Sequence, residues 1–105
     1  MGKREDIVRG LKKFARDLSK DFFIEKIILF GSRATNKFRK ESDVDLMIVS
    51  PDFEELNFFE RCAKMYNYWD IDLPVDFLCY TPKEFNKLKK QISIVKEAVE
   101  NGIEI

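Results

Sequence analysis

Two short apolar segments flank a polar turn between residues 24 and 49, which read IEKIILFGSRATNKFRKESDVDLMIV. The first segment, residues 24–30, is rich in β-branched residues and stops at Gly31. The second, residues 43–49, stops at Ser50 and Pro51. Short apolar runs that end at glycine or proline are typical of buried strands, so we predict two strands here.

Patterns on either side of these strands predict the remaining elements. Apolar residues at helical spacing predict an amphipathic helix that includes residues 7, 11, 14 and 18, and a second helix over residues 54–69. A third strand is predicted over residues 74–80. Thr81 and Pro82 then read as the cap and first residue of a last helix that runs to about residue 99. Residues 103–105 follow as a short edge strand.

This order of elements predicts an α/β (α+β) class, with a small mixed sheet of three to four strands covered by helices. The chain has 105 residues and no visible linker or repeat, so we expect a single domain over residues 1–105. No apolar run is long enough to span a membrane, and the first residues lack a signal peptide's apolar region. We therefore expect a cytoplasmic protein.

Composition excludes several kinds of chemistry. The chain has no histidine, which rules out a His-based triad and a His-containing zinc site. Its two cysteines, Cys62 and Cys79, lie in apolar segments, so a disulfide framework is not expected. Nineteen basic residues balance nineteen acidic ones, which argues against a generally basic nucleic-acid binder.

The charges are nevertheless grouped along the chain. Residues 33–41 carry four basic and one acidic side chain, whereas residues 42–82 carry two basic and nine acidic ones. Residues 33–41 therefore form a basic loop that would attract phosphate, and the acidic segment that follows would attract cations. A site that binds a nucleotide together with a metal ion would require both kinds of charge.

Asp43 and Asp45 stand in an otherwise apolar strand. Because strand side chains alternate, both would project from one face, about 7 Å apart, and would repel each other unless a cation neutralised them. Oxygen donors in such an arrangement suit Mg²⁺ or Mn²⁺. The alternative is that the strand begins at Val44 and that both aspartates lie at a solvated junction between loop and strand.

Two further features bear on this choice. Gly31 and Ser32 directly follow a strand, where glycine allows close backbone approach and the serine hydroxyl could bind a phosphate, with Arg33 supplying positive charge. A Gly-Ser pair can equally be no more than a turn. Asp76 lies within the third strand without a partner nearby in sequence, and it would complete a cluster of three carboxylates if that strand lay beside the second.

These residues resemble the Gly-Ser-x10-Asp-x-Asp signature of the DNA polymerase β-like nucleotidyltransferases. Gly-Ser-Arg-Ala at 31–34 and Ser-Asp-Val-Asp-Leu at 42–46 are similar to the minimal nucleotidyltransferases in particular, short proteins often encoded beside a helical HEPN partner. The resemblance implies a nucleotidyltransferase fold and a Mg²⁺-dependent transfer of a nucleoside monophosphate, AMP from ATP, to a hydroxyl of a partner protein. It also implies that this chain is the antitoxin of a HEPN toxin.

The resemblance further assigns roles to residues. Gly31, Ser32 and Arg33 would hold the triphosphate of ATP. Asp43 and Asp45 would bind two divalent ions, Mg²⁺ or Mn²⁺, and Asp76 would share one of them and help to activate the acceptor hydroxyl. In such a scheme, catalysis rests on positioning and charge neutralisation.

Other functions and surfaces stay open on sequence alone. The chain could be a non-catalytic module that neutralises or scaffolds its partner, or it could transfer the nucleotide to a small molecule. The predicted helix over residues 54–69 has two apolar faces, which are either core or a surface for a partner or a second copy. Tyr66, Tyr68 and Tyr80 could accept the transferred group or stack on a base, but we interpret them as structural residues.

Overall fold

The structure is a computed structural model that describes residues 4–31, 43–91 and 93–105. Its elements follow in the order α1 (Arg4–Leu18), β1 (Lys26–Phe30), β2 (Val44–Val49), α2 (Phe58–Tyr66), β3 (Val75–Tyr80), α3 (Pro82–Leu88), α4 (Ile94–Asn101) and β4 (Ile103–Glu104). A short 3-10 helix, Pro51–Phe53, lies between β2 and α2. Mixed helices and strands confirm the predicted α/β class.

The four strands of the described chain form one sheet in the order β3-β2-β1-β4. Strand β1 is antiparallel to β2 and β4, whereas β2 and β3 are parallel, so the sheet is mixed as predicted. This topology brings the start of β2, the start of β3 and the end of β1 to the same end of the sheet.

Alternate residues of β2 enter two separate cores. Val44, Leu46 and Ile48 pack with the buried stripe of α1, which consists of Ile7, Leu11, Phe14 and Leu18 as predicted. On the opposite face, Met47 and Val49 pack with residues of α3 and α4. The sheet is thus a central layer with helices on both faces, and nearly all of β2 is buried.

Helix α2 is shorter than the sequence predicted, because it starts at Phe58 instead of residue 54 and ends at Tyr66 instead of residue 69. Asn57 sets its start: the Asn57 side chain accepts the Glu60 N–H, and the Glu60 side chain accepts the Asn57 N–H. This reciprocal cap satisfies backbone donors that would otherwise be unpaired at a helix start.

The prediction of one continuous helix from residue 81 to about residue 99 is wrong, since α3 and α4 are separate helices. Thr81 does cap α3 and Pro82 does begin it. The change of direction depends on Ser93, whose hydroxyl donates to the Leu88 carbonyl and accepts the Lys96 N–H. This hydroxyl satisfies groups on both helices, so the second helix can turn back onto the sheet and lead into the predicted edge strand β4.

Two chemical expectations can be compared directly with the described residues. Cys62 and Cys79 are free thiols, in agreement with the expectation of no disulfide framework. Within the described ranges, no helix has both the length and the apolar character that crossing a bilayer requires.

Candidate active site

Asp45 and Asp76 occupy paired positions in the parallel strands β2 and β3. Adjacent strands lie about 4.8 Å apart and paired side chains point to the same face, so the two carboxylates lie side by side. They project from the face that carries Met47 and Leu78, towards α3 and α4. The third strand therefore lies beside the second, as a cluster of carboxylates requires.

Asp43 lies just outside the strand, because β2 begins at Val44. Its side chain is exposed, whereas Asp45 is partly buried within the strand. The alternative of a solvated junction thus describes Asp43 but not Asp45. Asp43 is nevertheless close enough to Asp45 for its negative charge to raise the pKa of Asp45.

The Asp45 carboxyl group has a pKa above its ordinary value of 3.8. Partial burial is the largest cause, and repulsion from Asp76 and then from Asp43 adds to it. The site therefore holds negative charge that the described chain does not neutralise well, which is typical of a place where a cation or a phosphate-bound metal binds.

Gly31 directly follows β1 and lies against Asp45. Its φ of 72° lies in the left-handed region that glycine adopts at little cost. A Cβ at this position would lie 3.2 Å from Cγ of Asp45 and closer still to Oδ2. Glycine is therefore required twice, by the backbone conformation and by the close approach of the aspartate.

A cavity of about 960 Å³ opens beside these residues. Gly31, Asp45 and Asp76 form one side of it. Four residues of α4 at helical spacing form another, namely Ile94, Glu97, Ala98 and Asn101. Phe58 at the start of α2 also contributes.

Sequence reasoning missed the contribution of α4 and Phe58. The spacing of residues 94, 97, 98 and 101 is enough to place them on one helix face. What that face contacts depends on the turn at Ser93, which no local pattern predicted. Phe58 lies in the helix predicted over residues 54–69, whose apolar faces were interpreted only as core or as a partner surface.

The donor atoms of this site fit a divalent cation. Carboxylate oxygens are the ligands that Mg²⁺ and Mn²⁺ prefer, and binding would relieve the repulsion around Asp45. Among the residues that the structure describes, no three acidic or cysteine side chains already form a group that could hold a metal. The Asp43, Asp45 and Asp76 side chains would therefore have to converge around the ion.

The structure describes some of the remaining predicted residues and not others. Ser32 and Arg33 lie outside the described residues, so their role in phosphate binding stays a prediction. Tyr66 donates its hydroxyl to the Val75 carbonyl at 2.6 Å, and Tyr68 donates to Asp21. Both bonds join separate parts of the chain, which fits the structural role assigned to these tyrosines.

Known proteins are similar in sequence to this chain. The chain is 30% identical over 103 residues, covering 95% of this chain and 99% of the relative, to "Putative protein adenylyltransferase MJ0141" of Methanocaldococcus jannaschii. It is 34% identical over 79 residues, covering 71% of this chain and 68% of the relative, to "Probable protein adenylyltransferase MntA" of Haemophilus influenzae.

The fold is also shared with a solved structure. A crystal structure of a "putative nucleotidyltransferase" from Sulfolobus solfataricus superposes with a TM-score of 0.70. The match covers 99% of this chain and 89% of that one, at 20% identity. Residues 8–102 match the family model described as the nucleotidyltransferase domain. The chain is therefore a member of the nucleotidyltransferase domain family.

Proposed function

We propose that this chain transfers AMP from ATP to a hydroxyl group of a partner protein in a Mg²⁺-dependent reaction. The observation that carries the proposal is the in-register pairing of Asp45 with Asp76 in the lining of a cavity, with Gly31 in contact with Asp45. Relatives that are named as protein adenylyltransferases support the choice of AMP and of a protein acceptor.

Asp43, Asp45 and Asp76 would hold two Mg²⁺ ions, which Mn²⁺ could replace. Such ions, when bound, neutralise phosphate charge and favour loss of the proton from an attacking hydroxyl. The chain's own residues supply the positioning. The Gly31 backbone beside Asp45 is proposed to lie next to the triphosphate, and Ser32 and Arg33 are proposed to hold its oxygens.

The proposed reaction is an in-line displacement. The acceptor oxygen forms a bond to the α-phosphorus of ATP, and the bond from that phosphorus to the bridging oxygen breaks. Pyrophosphate leaves with the bonding electrons. Asp76 is proposed to take the hydroxyl proton, since its side chain is exposed at the cavity and lies beside Asp45.

The proposed partner is a helical HEPN-type toxin, for which this chain would be the antitoxin. Large apolar side chains that stay exposed on α2, above all Phe59, support a protein partner over a small-molecule acceptor. Modification of a toxin hydroxyl would add a bulky anionic group and so would block a site that must bind another molecule.

A transfer assay tests this function. The purified chain is mixed with ATP labelled at the α-phosphate, Mg²⁺ and a HEPN-type protein. We expect label on the HEPN-type protein and release of pyrophosphate, and loss of both with Asp45→Asn. The matched control is Asp72→Asn, because Asp72 is an exposed aspartate just before β3 and lies outside the cavity lining. No labelling by the unmodified chain, or equal labelling by Asp45→Asn, would contradict the proposal.

A second candidate is a module that neutralises its partner by binding alone. The exposed aromatic residues of α2 favour it as much as they favour a catalytic encounter. In that case the HEPN-type toxin would be neutralised without nucleotide, and Asp45→Asn would act as well as the unmodified chain.

A further inference from the structure

Helix α2 presents an apolar strip to solvent, made of Phe58, Phe59, Ala63 and Tyr66. Phe59 is 83% exposed, and all four residues are exposed. The rings of Phe58 and Phe59 meet edge to face, with centroids 6.4 Å apart. Exposed aromatic residues grouped in this way are typical of a surface that contacts another molecule.

The strip is continuous with the candidate active site at both of its ends. Phe58 lines the same cavity as Asp45 and Asp76. At the other end, the Tyr66 hydroxyl bonds to the carbonyl of Val75, the residue before Asp76. A molecule lying on the strip would therefore lie beside the carboxylates.

Strand addition cannot account for binding at this edge of the sheet. The outward carbonyls of β3 at Val75, Phe77 and Cys79 already accept bonds from Tyr66, Cys62 and Arg61 of α2. A partner at this edge meets side chains of α2 instead of free backbone, so contacts between side chains must supply the binding.

The shape of the strip favours a helix as the occupant. Phe59, Ala63 and Tyr66 follow one another at spacings of four and three residues, so they lie along one line of the helix. The small Ala63 leaves a notch between two aromatic rings, into which one apolar side chain of a facing helix could pack, as ridges pack into grooves. The nine residues of α2 span about 13 Å, which is the length of about two turns of a facing helix.

We infer that the strip Phe58, Phe59, Ala63 and Tyr66 is the docking surface for an amphipathic helix of the acceptor protein. This inference rests on the proposed function for the identity of the acceptor, and it adds where and by what chemistry the acceptor binds. One apolar side chain of the acceptor helix packs over Ala63. The accepting hydroxyl lies on the same protein, within reach of Asp76.

Binding of a HEPN-type protein, measured by calorimetry without nucleotide, tests the inference. The variants are Phe59→Ser and Ala63→Arg, since both positions are exposed and neither lines the cavity. We expect the dissociation constant to rise at least about tenfold in each, because Phe59→Ser removes an anchor that becomes buried and Ala63→Arg fills the notch. The control is Phe23→Ser, because Phe23 is 66% exposed but lies before β1, at the far end of that strand from Gly31.

The readouts separate this inference from the proposed function. Melting temperatures show whether each variant is folded, and calorimetry detects docking even if the unmodified chain transfers no AMP. Unchanged binding by folded Phe59→Ser and Ala63→Arg would overturn the inference, as would absence of binding by the unmodified chain. So would light scattering that shows a dimer of the unmodified chain and monomers of both variants, because a second copy would then occupy the strip.

Discussion

At the scale of single residues, Gly31 and Asp45 constrain each other. The chain turns through a positive φ at Gly31, and the Asp45 carboxylate occupies the space where a Cβ would lie. The geometry of the candidate site therefore depends on the absence of a side chain as much as on the presence of carboxylates.

Gly31→Ala is expected to lower the free energy of unfolding by about 1–2 kcal/mol from the backbone conformation alone, and by more because the new methyl group displaces Asp45. Denaturant unfolding measures the total. The same substitution in an Asp45→Ala background should cost less, because the carboxylate is gone and only the backbone strain is left. Equal costs in both backgrounds would contradict the contact with Asp45.

Asp45→Asn is expected to lower the rate of AMP transfer by about a hundredfold or more. The same substitution is expected to raise the melting temperature of the metal-free protein. Burial and repulsion raise the pKa of Asp45, so its charged form is unfavourable in the folded chain. An amide removes that charge at nearly constant volume. A melting temperature below that of the unmodified chain would contradict this account.

The pH dependence of this effect has a definite sign. Because the pKa of Asp45 lies above 3.8 in the folded state, the folded chain holds that proton more tightly than the unfolded chain does. Asp45 therefore lowers stability progressively as pH rises from 3.8 through the raised pKa. The advantage of Asp45→Asn in melting temperature should accordingly be larger near about pH 7 than near about pH 4.

At the scale of elements, α2 protects the edge of the sheet and joins it to α3. Arg61 of α2 is only 8% exposed. Its Nε donates to the carbonyls of Phe53 and Leu56, and its Nη1 donates to the Cys79 carbonyl at 3.1 Å and to Glu84 at 2.8 Å. One guanidinium thus connects the 3-10 helix, α2, β3 and α3.

Arg61→Met is expected to lower the free energy of unfolding by about 3 kcal/mol, because it leaves the buried Cys79 carbonyl without its donor and Glu84 without its ion pair. Equilibrium denaturation measures this loss. Glu84→Gln is the control: it removes the ion pair and leaves the carbonyl contacts of Arg61, so a smaller loss of about 1 kcal/mol is expected. Equal losses in the two variants would show that the ion pair, and not the carbonyl bonds, carries the stability.

Part of this stability should depend on pH through the ionisation of Glu84. Partial burial alone would raise its pKa, but hydrogen bonds from Arg61 and the Thr81 backbone outweigh it, so the pKa of Glu84 is lowered from 4.5. The stabilisation is fully present above 4.5 and is lost as pH falls through the lowered pKa. In Arg61→Met the acid-dependent loss should be shallower, as denaturation at a series of pH values would show.

At the scale of the whole molecule, the cavity brings together carboxylates from separate elements, Asp45 and Asp76 from the sheet and Glu97 from α4. Acidic groups repel the triphosphate of ATP unless cations lie between them. Binding of nucleotide should therefore be linked to binding of metal.

Mg²⁺ and ATP together are expected to raise the melting temperature, and ATP with a chelator is not. A ligand at about a hundred times its dissociation constant stabilises the folded chain by about 2.7 kcal/mol. Differential scanning calorimetry measures the shift, and Asp45→Asn should abolish the part that depends on Mg²⁺. An equal shift by ATP in the presence of a chelator would contradict the linkage.

Most of the elements were predictable because they follow from local patterns. The apolar residues 7, 11, 14 and 18 of α1 are buried as their spacing predicts, and so is the apolar run of β1. The reason is that the position of a side chain along a helix or strand determines which face it occupies. The residues from Gly31 to Asp45 resemble a known nucleotidyltransferase signature, and the match over residues 8–102 confirms the family that this resemblance implied.

Other features required the folded chain, because they depend on contacts between residues distant in sequence. The pairing of Asp45 with Asp76 follows from the parallel register of β2 and β3. The placement of Glu97 and Asn101 at the cavity follows from the turn at Ser93. Which apolar face of α2 stays exposed follows from the way Arg61, Cys62 and Tyr66 fasten that helix to β3. Local patterns predict that a helix has an apolar face, but only long-range packing establishes whether that face is covered.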